Sequence, residues 1–198
     1  MILHKNEFND HDMGKLVKGA IVPRPIAWVS SMDGHGRKNL APFSFFTVAS
    51  MDPLTLAISV GEREREKDTA FNIKETEEFV VNIVSEPLAN AMHETSRYYS
   101  AEEDEFEVAG ITEAESVYVR PPRVMASPVS FECRLTQVVE IGTSNLILGE
   151  VIGYHLRDDI YMEKDKVDPH KLQAIGRMAG DYTFVRDFFP LPTDQLPE

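Results

Sequence analysis

Three segments of this 198-residue chain gather small, hydroxyl and basic residues in patterns that suit an anionic or ring-shaped ligand. The first runs Asn39, Leu40, Ala41, Pro42, Phe43, Ser44, Phe45, Phe46, Thr47, Val48, Ala49, Ser50. It is apolar enough for a strand, but Pro42 carries no N–H and is expected to disrupt pairing there. Amides released from a ladder can point at a ligand, and Ser44, Thr47 and Ser50 add hydroxyl donors. An irregular strand end, with its serines bonded to their own backbone, explains the same residues. The second segment is Lys67, Asp68 and Thr69, just ahead of a helical pattern. A lysine beside the positive end of a helix dipole suits phosphate, and the threonine adds a donor. A capping aspartate after the charge run 62–67 is the plainer account. The third is Ile175 to Tyr182. Glycines on either side of Arg177 and Met178 permit close backbone approach. Arg177 can pair with an anion or stack on a flat ring, and Tyr182 can cover a ring face. A turn into the last element accounts for it equally well.

Other chemistries find less support. The six histidines, at 4, 11, 35, 93, 155 and 170, show no metal spacing with one another or with cysteine. Gly-x-Ser-x-Gly, the Walker A loop and Gly-x-Gly-x-x-Gly are all missing from the sequence. The single cysteine, Cys133, excludes an intrachain disulfide and a cysteine-only metal site. It falls in an alternating strand and is expected in the core. Trp28, the one tryptophan, is expected in the core or an interface.

The net charge of -13 opposes binding to nucleic acid or to anionic membranes, so neither is an expected partner. An anionic ligand would need a local basic exception to that field. With 42% hydrophobic and 9% aromatic residues there is material for a real core. No stretch of 18 apolar residues and no basic-then-apolar leader is present, which makes a cytoplasmic protein the expectation.

The elements that must position these residues can be read in order. A short helix is predicted over 10–18, capped by Asn9 or Asp10 and stopped by Gly19. A hairpin follows, with a strand from Ile26, a turn at 33–36 and a return from Asn39. Strands are predicted over 54–60 and 78–84. Helices are predicted over 69–76, capped by Asp68, and over 87–97. Residues 100–120 read as an acidic surface excursion. Residues 130–141 and 146–155 read as a long hairpin, turning at 142–145. A short strand is predicted at 160–161 and a short helix at 169–172. A proline-rich, extended tail covers 186–198. About six strands with short helices between them, in no regular alternation, point to one domain built as an antiparallel barrel with helical insertions, not a doubly wound parallel sheet.

Taken in order, the pieces resemble the flavin reductase-like family with the FMN-binding split barrel. The match includes 23–30 (Pro-Arg-Pro-Ile-Ala-Trp-Val-Ser), Asp33-Gly34, 39–46, Asp52-Pro53, 67–69, Asn72-Ile73 and 79–83. It continues through 106–112, 128–133, 148–151 and 176–183. The resemblance covers about 17–185. It implies a mainly β antiparallel split barrel with short helices, and a homodimer with FMN at the subunit interface. Residues 39–50 would line the ring and ribityl chain: Asn39, Leu40, Ala41, Pro42, Ser44, Phe45, Thr47 and Ser50. Lys67, Asp68 and Thr69 would hold the phosphate. Arg24, Arg177 and Tyr182 are further candidates, reaching the cofactor from the partner subunit. Some flavoredoxin-like relatives carry a histidine just ahead of the strand at 146–151. Here Ser144 and Asn145 stand there, so a role for that imidazole is not carried over. Two activities are implied. One is an NADH- or NADPH-dependent flavin reductase that passes electrons to a monooxygenase or other acceptor protein, with no side chain required as acid or base. The other is a flavoredoxin-like FMN electron carrier. The fold also admits a cofactor-binding module without the reaction.

Overall fold

The computed structural model describes residues 2, 4, 10–61 and 66–189. The chain opens on helix α1 (Asp10–Ala20), which continues through the expected stop at Gly19. Then come β1 (Ala27–Met32), β2 (Lys38–Phe43), β3 (Phe46–Met51), β4 (Leu54–Gly61), α2 (Asp68–Thr76) and β5 (Glu78–Ile83). The helix expected over 87–97 is shorter: a single 3-10 turn at Glu86–Leu88 leads into α3 (Ala89–Glu94). The remainder is α4 (Glu105–Val108), β6 (Glu113–Ala114), β7 (Arg123–Val124), β8 (Val129–Ile141), β9 (Ser144–Leu156), β10 (Tyr161–Met162), β11 (Lys166–Val167), α5 (Pro169–Leu172), β12 (Ile175–Arg177) and β13 (Tyr182–Phe184). Asn9, the charge run at 62–65 and the tail from 190 onward lie outside the described residues.

Seven strands form one antiparallel sheet in the order β2-β1-β5-β8-β9-β4-β3. β2 and β3 are the two edges, yet only Ser44 and Phe45 separate them in the chain. Two residues span about 7 Å, so the sheet must curl until its edges meet at this corner. The curl stops short of closure, because β2 and β3 share no ladder. This is a split barrel. Side chains from strands far apart in the sheet order confirm the curl by meeting inside it: Val29 of β1, Leu56 of β4, Phe79 of β5, Cys133 of β8 and Ile147 of β9 form one cluster. Ala70 and Ile73 of α2 plug its end. A second cluster covers the outer face of β1 and β2, where Trp28 and Leu40 meet Met92, Phe106, Val124 and Ile175. β1 is therefore buried on both faces, and successive residues serve opposite cores. The buried Trp28 indole donates to Thr95 Oγ1 at 2.9 Å.

Three expectations change here. The segment 39–50 is two strands, not one irregular end, and the edge strand β3 went unread. Pro42 does not break the pairing; it lies opposite Trp28 in the β1–β2 ladder. Leu40 N–H points away from β1, and so does the nitrogen two residues on, at Pro42. An edge strand needs no donor on that side. Finally, the excursion at 100–120 is partly core. Phe106 is 1% exposed, on a single-turn helix capped by Asp104, whose carboxylate accepts from Phe106 N–H at 2.9 Å.

The excursion is tied to the sheet by one side chain. Glu132 on β8 is fully buried. Its carboxylate accepts the N–H groups of Val117 (2.8 Å), Tyr118 and Val119 (3.1 Å), and it pairs with His155 of β9. A Cβ at Gly153 would lie 2.8 Å from the Tyr118 ring and 3.1 Å from Glu132 Cβ, so only glycine lets the excursion lie this close.

Candidate functional site

The first two candidate segments meet. Lys67 sits in extended backbone (φ -73, ψ 142) as the residue before α2, so the N–H groups of the first helical turn begin just beyond it. Its ammonium lies 5.5 Å from the centre of the Phe43 ring, the last residue of β2. Lys67, and not the expected Asp68, occupies the cap position, and its side chain makes no cap hydrogen bond. Asp68 instead begins the helix, in its first turn. Beside it, Asn39 of β2 hydrogen-bonds Thr69 Oγ1 at 2.8 Å. One turn further along α2, Asn72 donates to Ser31 Oγ at 3.2 Å. The buried face of α2 is thus apolar toward the barrel and polar toward β1 and β2, which pins the helix start beside the Ser31–Asn39 pair of the β1–β2 ladder.

The third segment reaches the same corner through Arg24. Arg24 and Arg177 exchange both backbone hydrogen bonds, at 3.0 and 2.8 Å. The Arg24 guanidinium donates to the carbonyls of Lys18, Ile21 and Met178 and to Ser44 Oγ, and lies 5.8 Å from the Phe45 ring centre. It anchors the corner to α1 and to the loop after β12. Arg177 packs its guanidinium 4.7 Å from the Tyr182 ring centre, and Tyr182 Oη bonds His93 Nδ1 at 3.1 Å. Gly176 is small for a packing reason, since a Cβ would lie 2.7 Å from that of Pro23.

Not every candidate presents its side chain. Leu40 is buried in the outer core, and its N–H is taken by Glu105, so its carbonyl is what remains for a ligand. Ala41 is partly buried against the barrel cluster, and Pro42 stands at the open edge. Thr47 is exposed on β3, while Ser50 exchanges hydrogen bonds with the backbone of Asp52 at 3.1 and 3.2 Å. For Ser50 the local reading holds.

A cavity of about 250 Å³ lies beside the start of α2, lined among others by Arg37, Lys38, Asn39, Asp68, Asn72 and Glu105. At its floor is Glu105, which accepts Leu40 N–H at 3.0 Å. Burial, aided by the nearby Asp68 and Asp104 carboxylates, pushes Glu105 up to about 7 despite that hydrogen bond. Across the cavity Asp33 pairs with Arg37 at 2.6 Å, and Lys38 is held between Asp104, at 2.8 Å, and Glu113.

Residues 19–169 match the model of the flavin reductase like domain. The chain belongs to the flavin reductase-like family. This flavin reductase-like protein is 43% identical over 176 residues to an uncharacterised protein of Aquifex aeolicus, covering 88% of this chain and 89% of that one. Its fold superposes on nitrilotriacetate monooxygenase component B from Bacillus cereus with a TM-score of 0.93 and 33% identity, over 96% and 98% of the two chains. Against the 2-nitrobenzoate 2-nitroreductase of Pseudomonas fluorescens the TM-score is 0.91 at 29% identity, over 100% and 99%. Sequence reading of this flavin reductase-like chain gave no role to Glu105, to His93 or to Asn72, which it noted only as part of the family resemblance. The stretch 106–112 drew notice, but an acidic residue in an acidic excursion gives no sign of its burial. His93 carried no spacing signal at all, because its partner Tyr182 lies 89 residues on.

Proposed function

We propose that this protein is an FMN-binding oxidoreductase that takes hydride from NADH or NADPH, an NAD(P)H-dependent flavin reductase working as a homodimer. The observation that carries the reading is the corner itself. In a flavin reductase-like chain, the edge-strand residues 39–45, the start of α2 and the Lys67 ammonium converge on one place. The donor set fits FMN: a cation and the N–H groups of a helix start for the phosphate, and strand-edge groups with an aromatic wall for the ring. Lys67, Asp68 and Thr69 would hold the phosphate, and residues 39–47 the ring and ribityl chain. Bound FMN supplies the hydride-accepting ring, so no side chain of this protein need transfer a proton.

The chain's own residues bind, orient and exclude water. Arg24 holds the corner rigid by occupying the carbonyls around it. Arg177 and Tyr182 form a stacked pair suited to an anionic, planar second substrate, and the Arg177 guanidinium offsets the acidic surface that would slow capture of a nicotinamide nucleotide. The deciding measurement is anaerobic stopped-flow absorbance of the FMN-loaded protein near 450 nm. NADH or NADPH is expected to bleach the flavin within seconds. Reduction by dithionite alone, with neither nucleotide acting in minutes, would leave the flavoredoxin-like carrier in place of the reductase. Similarity to a monooxygenase component B favours a flavin-consuming monooxygenase as the acceptor.

The dimer rests on β3. This edge exposes Phe45, Val48 and Met51 at 52%, 51% and 78%. An apolar open edge of that kind calls for a partner surface. Light scattering at micromolar protein is expected to give about 45 kDa, twice the 22.4 kDa of one chain. A mass near 22 kDa with flavin bound would refute it.

A further inference from the structure

In a chain with a net charge of -13, a cation without a carboxylate is the exception. Arg37, Arg97, Arg120, Arg157 and Arg186 each pair with an acidic side chain. Among the described residues, Arg24 and Arg177 do not, and the two are neighbours. Arg24 is 6% exposed, and its charge is met by carbonyls: those of Lys18 and Ile21 at the negative end of α1, and that of Met178. Burial and the Arg177 charge both draw its pKa below the usual arginine value. Two like charges are thus held side by side, and Arg177 is the one left open. It is half-buried, with its guanidinium against the Tyr182 ring. The hydrogen bond its side chain makes is a 3.5 Å contact from Nη1 to the Asp181 carbonyl. Among the described residues nothing takes the Nε and Nη2 edge, a fork that matches the oxygens of a phosphate. His93 extends the same surface. Its ring stands edge-on to Tyr182 with centroids 5.7 Å apart, and Nδ1 bonds the Tyr182 hydroxyl, leaving Nε2 of this exposed residue for a ligand.

We propose that Arg177, with His93 beside it, binds the 2′-phosphate of the nicotinamide nucleotide, so that the hydride donor is NADPH in preference to NADH. The inference rests on the reductase reading above. A phosphate monoester is the anion that uses this site fully. It carries about 1.5–2 negative charges near pH 7 and three acceptor oxygens, enough to fill the fork, reach the imidazole and offset both guanidiniums. Each half of the diphosphate that NADH and NADPH share carries a single charge, so it offsets the pair less well. The phosphate of FMN has its own donors at the start of α2, which leaves the Arg177 fork to the second nucleotide. Arg24 serves as a positioning residue: through the Met178 carbonyl and the backbone pair with Arg177 it fixes where the fork stands.

The test is isothermal titration of the full-length, FMN-loaded protein with adenosine 2′,5′-bisphosphate and with adenosine 5′-monophosphate, which differ in the 2′-phosphate alone. The bisphosphate is expected to bind about 10- to 100-fold more tightly, the range for charge-assisted hydrogen bonds to one group. Arg177→Ala should erase that difference while changing the affinity for the monophosphate by less than about threefold, and His93→Ala should narrow it by about three- to tenfold. In anaerobic stopped-flow, the NADPH concentration that gives half-maximal bleaching should rise in Arg177→Ala by the factor the bisphosphate loses, with the limiting rate and the NADH response little changed. Equal affinity for the two adenosine phosphates, or a preference that survives Arg177→Ala, overturns the inference and leaves the reductase reading standing. A loss of FMN affinity in Arg177→Ala as large as the loss for the bisphosphate gives the fork to the flavin's own phosphate and overturns it as well. Bleaching by neither nucleotide brings down both. Should Arg177→Ala fail to fold, the wild-type comparison and His93→Ala still decide.

Discussion

Replacing Glu132 with alanine is expected to cost about 3–5 kcal/mol of folding stability, the range for removing one partner of a buried charged cluster. The carboxylate is fully buried and accepts three consecutive backbone N–H groups besides pairing with His155. Alanine would orphan all three donors inside the protein, and each unsatisfied buried group carries its own desolvation cost. Burial raises the carboxyl's affinity for protons, yet the N–H groups of Val117 and Tyr118 and the His155 ring outweigh it and hold Glu132 below the usual glutamate range. A depressed carboxylate stabilises the fold above its unfolded pKa, and that stability is lost as pH falls through the folded one. Urea unfolding of the variant should show a lower midpoint at pH 7, and its disadvantage should shrink toward acidic pH. A midpoint within error of wild type at pH 7 would show that the excursion is held by something else.

Lys67→Ala is expected to weaken FMN binding by about 1.5–3 kcal/mol, roughly ten- to 150-fold in Kd, the range for a charge-assisted hydrogen bond. The side chain also lies over the Phe43 ring, a contact of about 0.5–1 kcal/mol when exposed, so a small loss of stability should accompany the loss of affinity. The two are separable, because flavin fluorescence titration reads the first and unfolding without flavin reads the second. Equal affinity in mutant and wild type would place the phosphate elsewhere.

Much of this was legible in the sequence. Periodicity gave β1, β4, β5 and the long β8–β9 hairpin to within about two residues, because apolar alternation and turn residues coincide there. The family resemblance was correct, and the family match confirms it. Two things were hidden. β3 carries Phe46 to Met51 straight after a corner of only Ser44 and Phe45 inside an aromatic run, so the two-residue corner was invisible until the sheet order set β2 and β3 at opposite edges. The polar wiring was hidden as well. Asn39, Thr69 and Glu105 are 30 and 36 residues apart in turn, and only the packing of α2 and α4 against β2 brings them together. Local sequence reports periodicity, whereas tertiary wiring depends on which elements become neighbours.

The corner also shapes how the sheet breathes. Six ladders and one two-residue covalent link make the seven strands a ring, so opening any one ladder leaves every strand still joined to the others the other way round. The seam between β2 and β3 is the one junction with no hydrogen bonds to break. Local opening should begin there, and amide hydrogen exchange should find the outward-facing N–H groups of the β2 edge least protected. Leu40 is the exception, because Glu105 caps its N–H. A slowly exchanging Leu40 amide on an otherwise fast edge would mark the place where the seam is stitched, and that stitch lies beside the proposed flavin.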